Sequence, residues 1–181
     1  MSPYAEKNSI IFGGSSGIGL ATAQLLAQRG ATVTVASQEP SVPESVRSTS
    51  GLHWVHCDVR EAAQVEEAID KAGAHGPIDW LVYSAGIQAY GSVVACTAEQ
   101  WDLVQDVNAR GAFLAAHYAL PQMQRGGAIV NVSSVQSISC QQGVAAYAAS
   151  KGTLDALTRA MALDHAAEGI QIGRASCRER V

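Results

Sequence analysis

A chain of 181 residues that is 48% hydrophobic and 15% charged has the size and apolar content of one compact domain, and is too hydrophobic for disorder. Its formal net charge of −4 offers no basic surface to nucleic acid or to an anionic membrane, and no run approaches the roughly 18 apolar residues of a membrane span. Cys57, Cys96, Cys140 and Cys177 form no close pair and the start of the chain lacks a basic-then-apolar leader layout, so disulfides, zinc and export are not expected and a reduced, cytoplasmic setting is.

Taken in order, Asn8 to Phe12 is a short apolar run fit for a buried strand. It opens into Gly13-Gly14-Ser15-Ser16-Gly17-Ile18-Gly19, after which Leu20 to Arg29 has helical periodicity closed by Gly30. Strand, glycine turn and helix form the setting of a phosphate-binding loop. The glycines let the backbone approach a pyrophosphate, and the helix N-terminus supplies N–H groups and a positive dipole end. The spacing at 13, 17 and 19 departs from G-x-G-x-x-G, and no Lys-Ser/Thr follows, which disfavours a P-loop.

Thr32 to Ala36 reads as the second strand. A carboxylate that holds a ribose 2′-hydroxyl usually stands at the end of this strand, about 20 residues past the loop. Here the position is Ser37, followed by Gln38. With no carboxylate there to repel a 2′-phosphate and no arginine to hold one, the expectation tilts slightly toward NADP(H), with NAD(H) left open.

Gln38 to Gly51 is polar, contains Pro40 and Pro43, and is expected to be loop with at most a short helix. Leu52 to Cys57 is the third strand, ending at Asp58, and Glu61 to Ala72 an amphipathic helix with Lys71 in its last turn. Ile78 to Tyr83 is the fourth strand, and the small residues Ser84-Ala85-Gly86 that end it let a ligand lie close to the backbone. Thr97 caps a long helix with Pro121 near its far end, within which Asn108 is a polar residue among Val104, Val107, Phe113 and Leu114. Ala128 to Val132 is the fifth strand, delivering Ser134 at its end, and Ala145 to Ala167 the helix that follows. Tyr147 and Lys151 are four residues apart on that helix, hence on one face, where a phenol and an ammonium can enter the same pocket.

This strand–helix alternation implies an α/β fold: a Rossmann-type, doubly wound parallel sheet in a single domain, with a ligand crevice at the C-terminal ends of its strands. The glycine loop, Ser84 and Ser134 all fall at such ends.

At these residues the chain resembles the short-chain dehydrogenase/reductase family, from residue 8 to about residue 171. The family's Thr-Gly-x-x-x-Gly-Ile-Gly stands here as Phe12-Gly13-Gly14-Ser15-Ser16-Gly17-Ile18-Gly19, its adenine-contacting Asp as Asp58 followed by Val59, and its Asn-Asn-Ala-Gly, altered, as Tyr83-Ser84-Ala85-Gly86. Its helix asparagine falls on Asn108, its serine 13 residues before the tyrosine on Ser134 rather than Ser133, and its Tyr-x-x-x-Lys on Tyr147 to Lys151. Together these motifs, in this order and spacing, are highly specific. Phe12 and Tyr83-Ser84 replace the threonine and the asparagines that face each other across one family contact; aromatic packing of Phe12 on Tyr83 is the expected compensation, and loss of cofactor affinity the alternative.

The resemblance implies hydride transfer between NAD(P)(H) and a carbonyl or secondary alcohol on a small molecule. Tyr147 is expected to act as acid in reduction and base in oxidation, helped by the Lys151 ammonium because a lone phenol is a poor base at neutral pH. Ser134 would bind the substrate oxygen, and Asn108 would fix a water linking Lys151 to solvent. Gly13, Ser15, Ser16, Gly17, Ile18, Gly19, Ser37, Gln38, Asp58, Val59, Ser84, Ala85, Gly86, Tyr147 and Lys151 would hold the cofactor. A homodimer or homotetramer is implied, paired through the helices carrying Asn108 and Tyr147; nucleic acid, membrane and metal are not. A nucleotide-binding regulatory or scaffold protein without chemistry, a dehydratase or epimerase using the same tyrosine, and an inactive truncated fragment are the alternatives.

After Gln171 the family's pattern stops. Residues 172–181 drop the apolar alternation and carry three of the 12 Lys/Arg. Back-translated as ATC GGA AGA GCG TCG TGT AGG GAA AGA GTG, they match the complement of a common short-read sequencing adapter. The expectation is an incomplete Rossmann domain over 1–171, lacking its last strand or strands, with a non-native tail at 172–181. On this reading the fifth strand is left as a bare edge, prone to aggregation.

Overall fold

The structure, a computed structural model, describes residues 3–177. Six strands form one sheet: β1 (Asn8–Phe12), β2 (Thr32–Ser37), β3 (Leu52–His56), β4 (Ile78–Tyr83), β5 (Met123–Ser134) and β6 (Gln171–Cys177). Their spatial order is β3-β2-β1-β4-β5-β6 and every pairing is parallel. The helices are α1 (Gly17–Gln28), α2 (Glu44–Arg47), α3 (Ala62–Gly73), α4 (Ala98–Gln105), α5 (Gly111–Ala119) and α6 (Ala145–Asp164). None among the described residues is long and apolar enough to cross a membrane.

β1 is buried on both faces, and its two-residue period divides the core. Ile10 and Phe12 point into one apolar cluster with α3, α5 and Leu81, whereas Ile11 points into the other with Ala23 of α1, Val33 and Val35. Chain order reverses about β1, which has β2 on one side and β4 on the other. That switch point opens the crevice between the ends of β1 and β4, and Phe12, paired in register with both Ala36 and Tyr83, is the last residue of β1 before it.

β1 and β4 have the limits read from sequence, while several other boundaries moved. The helix capped by Thr97 does begin with a reciprocal capping box, Gln100 N–H to Thr97 Oγ1 at 3.2 Å and Thr97 N–H to Gln100 Oε1 at 3.1 Å. It is not one continuous α-helix, however: α4 passes into a π-turn over Asp106–Arg110 before α5 begins. β5 starts at Met123 rather than Ala128, and α6 ends at Asp164 rather than Ala167.

The bare edge expected on β5 is absent. Gln171 to Cys177 pair in parallel register from Ala128 to Ser134, with Ile172 buried opposite Ile129. Strand pairing needs only backbone N–H and C=O groups, so the polar composition of 172–177 does not prevent it. The remainder of the expected tail, 178–181, lies outside the described residues.

Candidate active site

The turn after β1 is held too close to the turn after β4 for any side chain. A Cβ at Gly13, whose φ is 74°, would come within 2.6 Å of the Ala85 nitrogen. A Cβ at Gly19 would collide with the Gly13 carbonyl, so α1 starts hard against the loop. At Gly17 (φ 53°) a Cβ would meet nothing within 4 Å, leaving open space over the first turn of α1. Ser16, the N-cap, makes no side-chain bond to that turn, and no acidic residue stands in it. Its N–H groups are therefore suited to an anion.

A cavity runs from this loop across the ends of β2, β3 and β4. It is lined by Gly13, Ser15, Ser16, Ser37, Gln38, Asp58, Val59, Ser84, Ala85 and Gly86, all singled out in sequence. Gly17, Ile18 and Gly19 lie in the loop itself but not in this lining, and Ile18 is exposed. Ala36, Glu39, Cys57, Ile87 and Val107 also line it and had not been singled out.

Glu39 is the consequential addition. Burial pushes its carboxyl up, but the Ser37 and Ser15 hydroxyls, its own backbone and the charge of His56 outweigh burial and hold it below the usual carboxylate range. Its Oε2 is buried beside these hydroxyls. The Ser37 hydroxyl already accepts from Trp54 Nε1 at 3.0 Å, which leaves its own proton to donate. Asp58 is engaged by the Arg60 guanidinium, with Nε 2.9 Å from Oδ1 and Nη2 2.5 Å from Oδ2, and this bond above all lowers its pKa. Between them Cys57 is inert: burial, then the charges of Asp58 and Glu67, push its thiol up to about 12.

The second half of the site is built round Asn108, which has no solvent exposure. Its Oδ1 accepts from Ile87 N–H at 2.8 Å, and its Nδ2 donates to Ile87 O at 2.8 Å and to Ser150 Oγ at 2.9 Å. Ser150 Oγ in turn donates to the Tyr147 carbonyl at 2.7 Å. Both amide hydrogens are thus committed to protein partners, so the side chain clamps the 84–87 loop to α6. A polar residue among apolar neighbours is visible in sequence; its clamp partners are not.

Lys151 is 4% exposed and donates to the Val132 carbonyl at 2.8 Å, with its Nζ 5.6 Å from the centroid of the half-buried Tyr147 ring. A Cβ at Gly86 would be 3.5 Å from Lys151 Nζ and 3.4 Å from Asn108 Oδ1. The ends of β4, the π-turn and α6 therefore meet at one point. Ser134 closes β5, its Oγ accepting from Gln136 N–H at 3.2 Å to cap a short 3-10 turn over Val135–Ser137. Ser133 is buried in the sheet, its hydroxyl without a hydrogen-bond partner among the described residues.

The sequence matches the family described as "Enoyl-(Acyl carrier protein) reductase" over residues 13–174. It is 32% identical over 174 residues to meso-2,3-butanediol dehydrogenase of Serratia marcescens, covering 93% of this chain and 69% of that protein. It is 36% identical over 174 residues to a 3-oxoacyl-[acyl-carrier-protein] reductase, FabG, of Thermotoga maritima, covering 92% and 71%. The fold is shared with a solved short-chain dehydrogenase/reductase from Serratia marcescens: TM-score 0.89, 28% identity, 96% of this chain and 74% of that one.

Replacing Gly13 by Ala is expected to lower the free energy of unfolding by about 1–3 kcal/mol, from the left-handed φ and the enforced contact with Ala85. Denaturant titration measures this, and an unchanged midpoint would contradict so close an approach of the two turns.

Proposed function

The chain belongs to the short-chain dehydrogenase/reductase family of NAD(P)-dependent oxidoreductases, and we propose that it interconverts a carbonyl and a secondary alcohol on a small molecule with NAD(H) preferred over NADP(H). The observation that carries the reading is that Lys151, with Tyr147 beside it, and Asn108 converge on Gly86, which lines a cavity whose other end has an anion-ready helix terminus and a carboxylate.

The residues suit a dinucleotide at both ends. Gly17 leaves room for a pyrophosphate over α1, and the Glu39 carboxylate, which lines the cavity beside Ser37 and Ser15, is an acceptor suited to a ribose hydroxyl. The nicotinamide, when bound, supplies or takes up the hydride. Tyr147 gives its phenolic proton to the substrate oxygen as a carbonyl becomes an alcohol, and takes a proton back in the reverse direction. The Lys151 ammonium, held by Val132 O beside the ring, stabilises the phenolate left behind. The Ser134 hydroxyl, with its proton not used by the bond from Gln136, donates to the substrate oxygen. Asn108 is proposed as the clamp that keeps the 84–87 loop and the first turn of α6 in register; a relay water at this residue would donate to an oxygen, since both amide hydrogens are already used.

The proposed preference for NAD(H) differs from the slight tilt toward NADP(H) that Ser37 and Gln38 suggest, and rests on Glu39. Position 37 has no carboxylate, but Glu39 brings one to the cavity, and no arginine is among the residues that line it. A 2′-phosphate on this ribose would stand against Glu39 with like charge, whereas a 2′-hydroxyl could donate to it. The exposed Trp101, Leu103 and Phe113 on α4 and α5 also support pairing between copies of the chain.

Tyr147→Phe is expected to reduce kcat/KM by about 10²–10⁴ while cofactor affinity, read by fluorescence titration, stays within about threefold; retained turnover would refute the acid/base assignment. NADH should bind roughly tenfold or more tightly than NADPH, and Glu39→Gln should erase most of that ratio. Equal affinities in the unaltered protein would refute the role of Glu39. Sedimentation should find dimers or tetramers that Trp101→Glu weakens, and a monomer at micromolar concentration would exclude pairing on this face.

A further inference from the structure

Tyr83 closes β4 with its side chain fully buried, and its ring lies 6.0 Å from that of Phe12 at 34°. The phenol donates to the Val107 carbonyl at 2.5 Å. Val107 directly precedes Asn108 and lies inside the π-turn. In a regular α-helix the donor to Val107 O would be the N–H four residues on, that of Gly111. Here the π register sends Gly111 N–H to Asp106 O instead. The Tyr83 hydroxyl thus bonds the very carbonyl from which the register shift withdraws its α-helical donor. Gly111 makes this possible, because a Cβ there would collide with the Tyr83 oxygen and come within 3.0 Å of Val59. Burial above all, then the charges of Cys57 and Asp58, raise the phenol's pKa well above the ordinary tyrosine value, so the hydroxyl keeps its proton.

We propose that Tyr83 is a positioning residue whose hydroxyl, bonded to Val107 O, holds the π-turn in register and so aims Asn108 at Ile87 and Ser150. A slip of one residue turns a side chain by about 100° around a helix axis, which would break all three Asn108 bonds at once. The effect passes along named contacts: Tyr83 Oη to Val107 O, Asn108 to Ile87 and Ser150, and Ser150 Oγ to the Tyr147 carbonyl. The ring of Tyr83 fills the core against Phe12; its hydroxyl sets the register.

Hydrogen exchange at the Ile87 amide tests this directly, since that N–H is donated to Asn108 Oδ1. Tyr83→Phe keeps the ring and removes only the hydroxyl. It should accelerate Ile87 exchange by about tenfold or more. Gly111→Ala, which pushes the phenol away from the other side, should do the same. The double variant should cost little more than the larger single one, because both break one bond. Phe12→Leu, which changes ring packing and leaves the hydroxyl, should alter Ile87 protection by no more than about twofold. Unchanged protection in Tyr83→Phe, additive effects in the double variant, or equal loss in Phe12→Leu would each overturn the proposal. Independently of any variant, the Tyr83 hydroxyl proton should give a slowly exchanging NMR signal in the unaltered protein, and its absence counts against the bond. The kinetic consequence rests on the oxidoreductase reading: kcat should fall about three- to tenfold in Tyr83→Phe with cofactor affinity within about twofold. An unaltered protein that turns over nothing would refute that reading alone, leaving Ile87 exchange to decide the role of Tyr83.

Discussion

A primary amide with no access to water must find all its hydrogen bonds inside the protein, and the site of this molecule depends on how Asn108 meets that requirement. Leaving such a group unsatisfied costs about 1–3 kcal/mol per lost partner. Three segments distant in sequence meet there: the π-turn presents the side chain, the loop after β4 offers both backbone groups of Ile87, and α6 offers Ser150. Once these bonds exist, the loop that faces the cavity and the helix that carries Tyr147 and Lys151 are fixed with respect to each other. Their arrangement follows from the same polar-satisfaction rule that governs any buried backbone group.

The exchange at Phe12 and Tyr83 shows how two departures can preserve one architecture. Small polar residues facing across these strand ends would tie them by hydrogen bonds. Two aromatic rings fill the volume instead and place their one polar atom, the Tyr83 oxygen, against a carbonyl. The rings supply apolar burial and favourable ring–ring contact, while the hydroxyl avoids the cost of being buried alone.

Much of this was legible in the residues themselves. β1 and β4 end in apolar runs, residues 10–12 and 80–83, stopped by small residues, so their limits could be read directly, and Tyr147 and Lys151 share a face through helical geometry alone. The π-turn was hidden because one extra residue per turn barely disturbs a helical hydrophobic pattern, and no proline or glycine pair marks it. Glu39 was missed because the backbone keeps following the cavity past the end of β2, so that Ser37, Gln38 and Glu39 all line it; a shift of two residues in a loop leaves no periodic trace. β6 went unread beyond Gln171 because strand pairing there rests on backbone groups, with Ile172 the only apolar residue buried between 172 and 176.

The register that joins Phe12 to both Ala36 and Tyr83 also bears on how the chain reaches this state. The middle of the sheet closes only when β4 arrives, roughly 70 residues after β1 has been made, so its central contacts are of high sequence separation and intrinsically slow to form. β1, β2 and β3 can pair first on a growing chain, and β4 can dock beside them while α6 is still being synthesised. The nucleotide-facing half is therefore laid down before Tyr147 and Lys151 exist. During that interval the open flank of β4 is the surface most in need of protection from other chains.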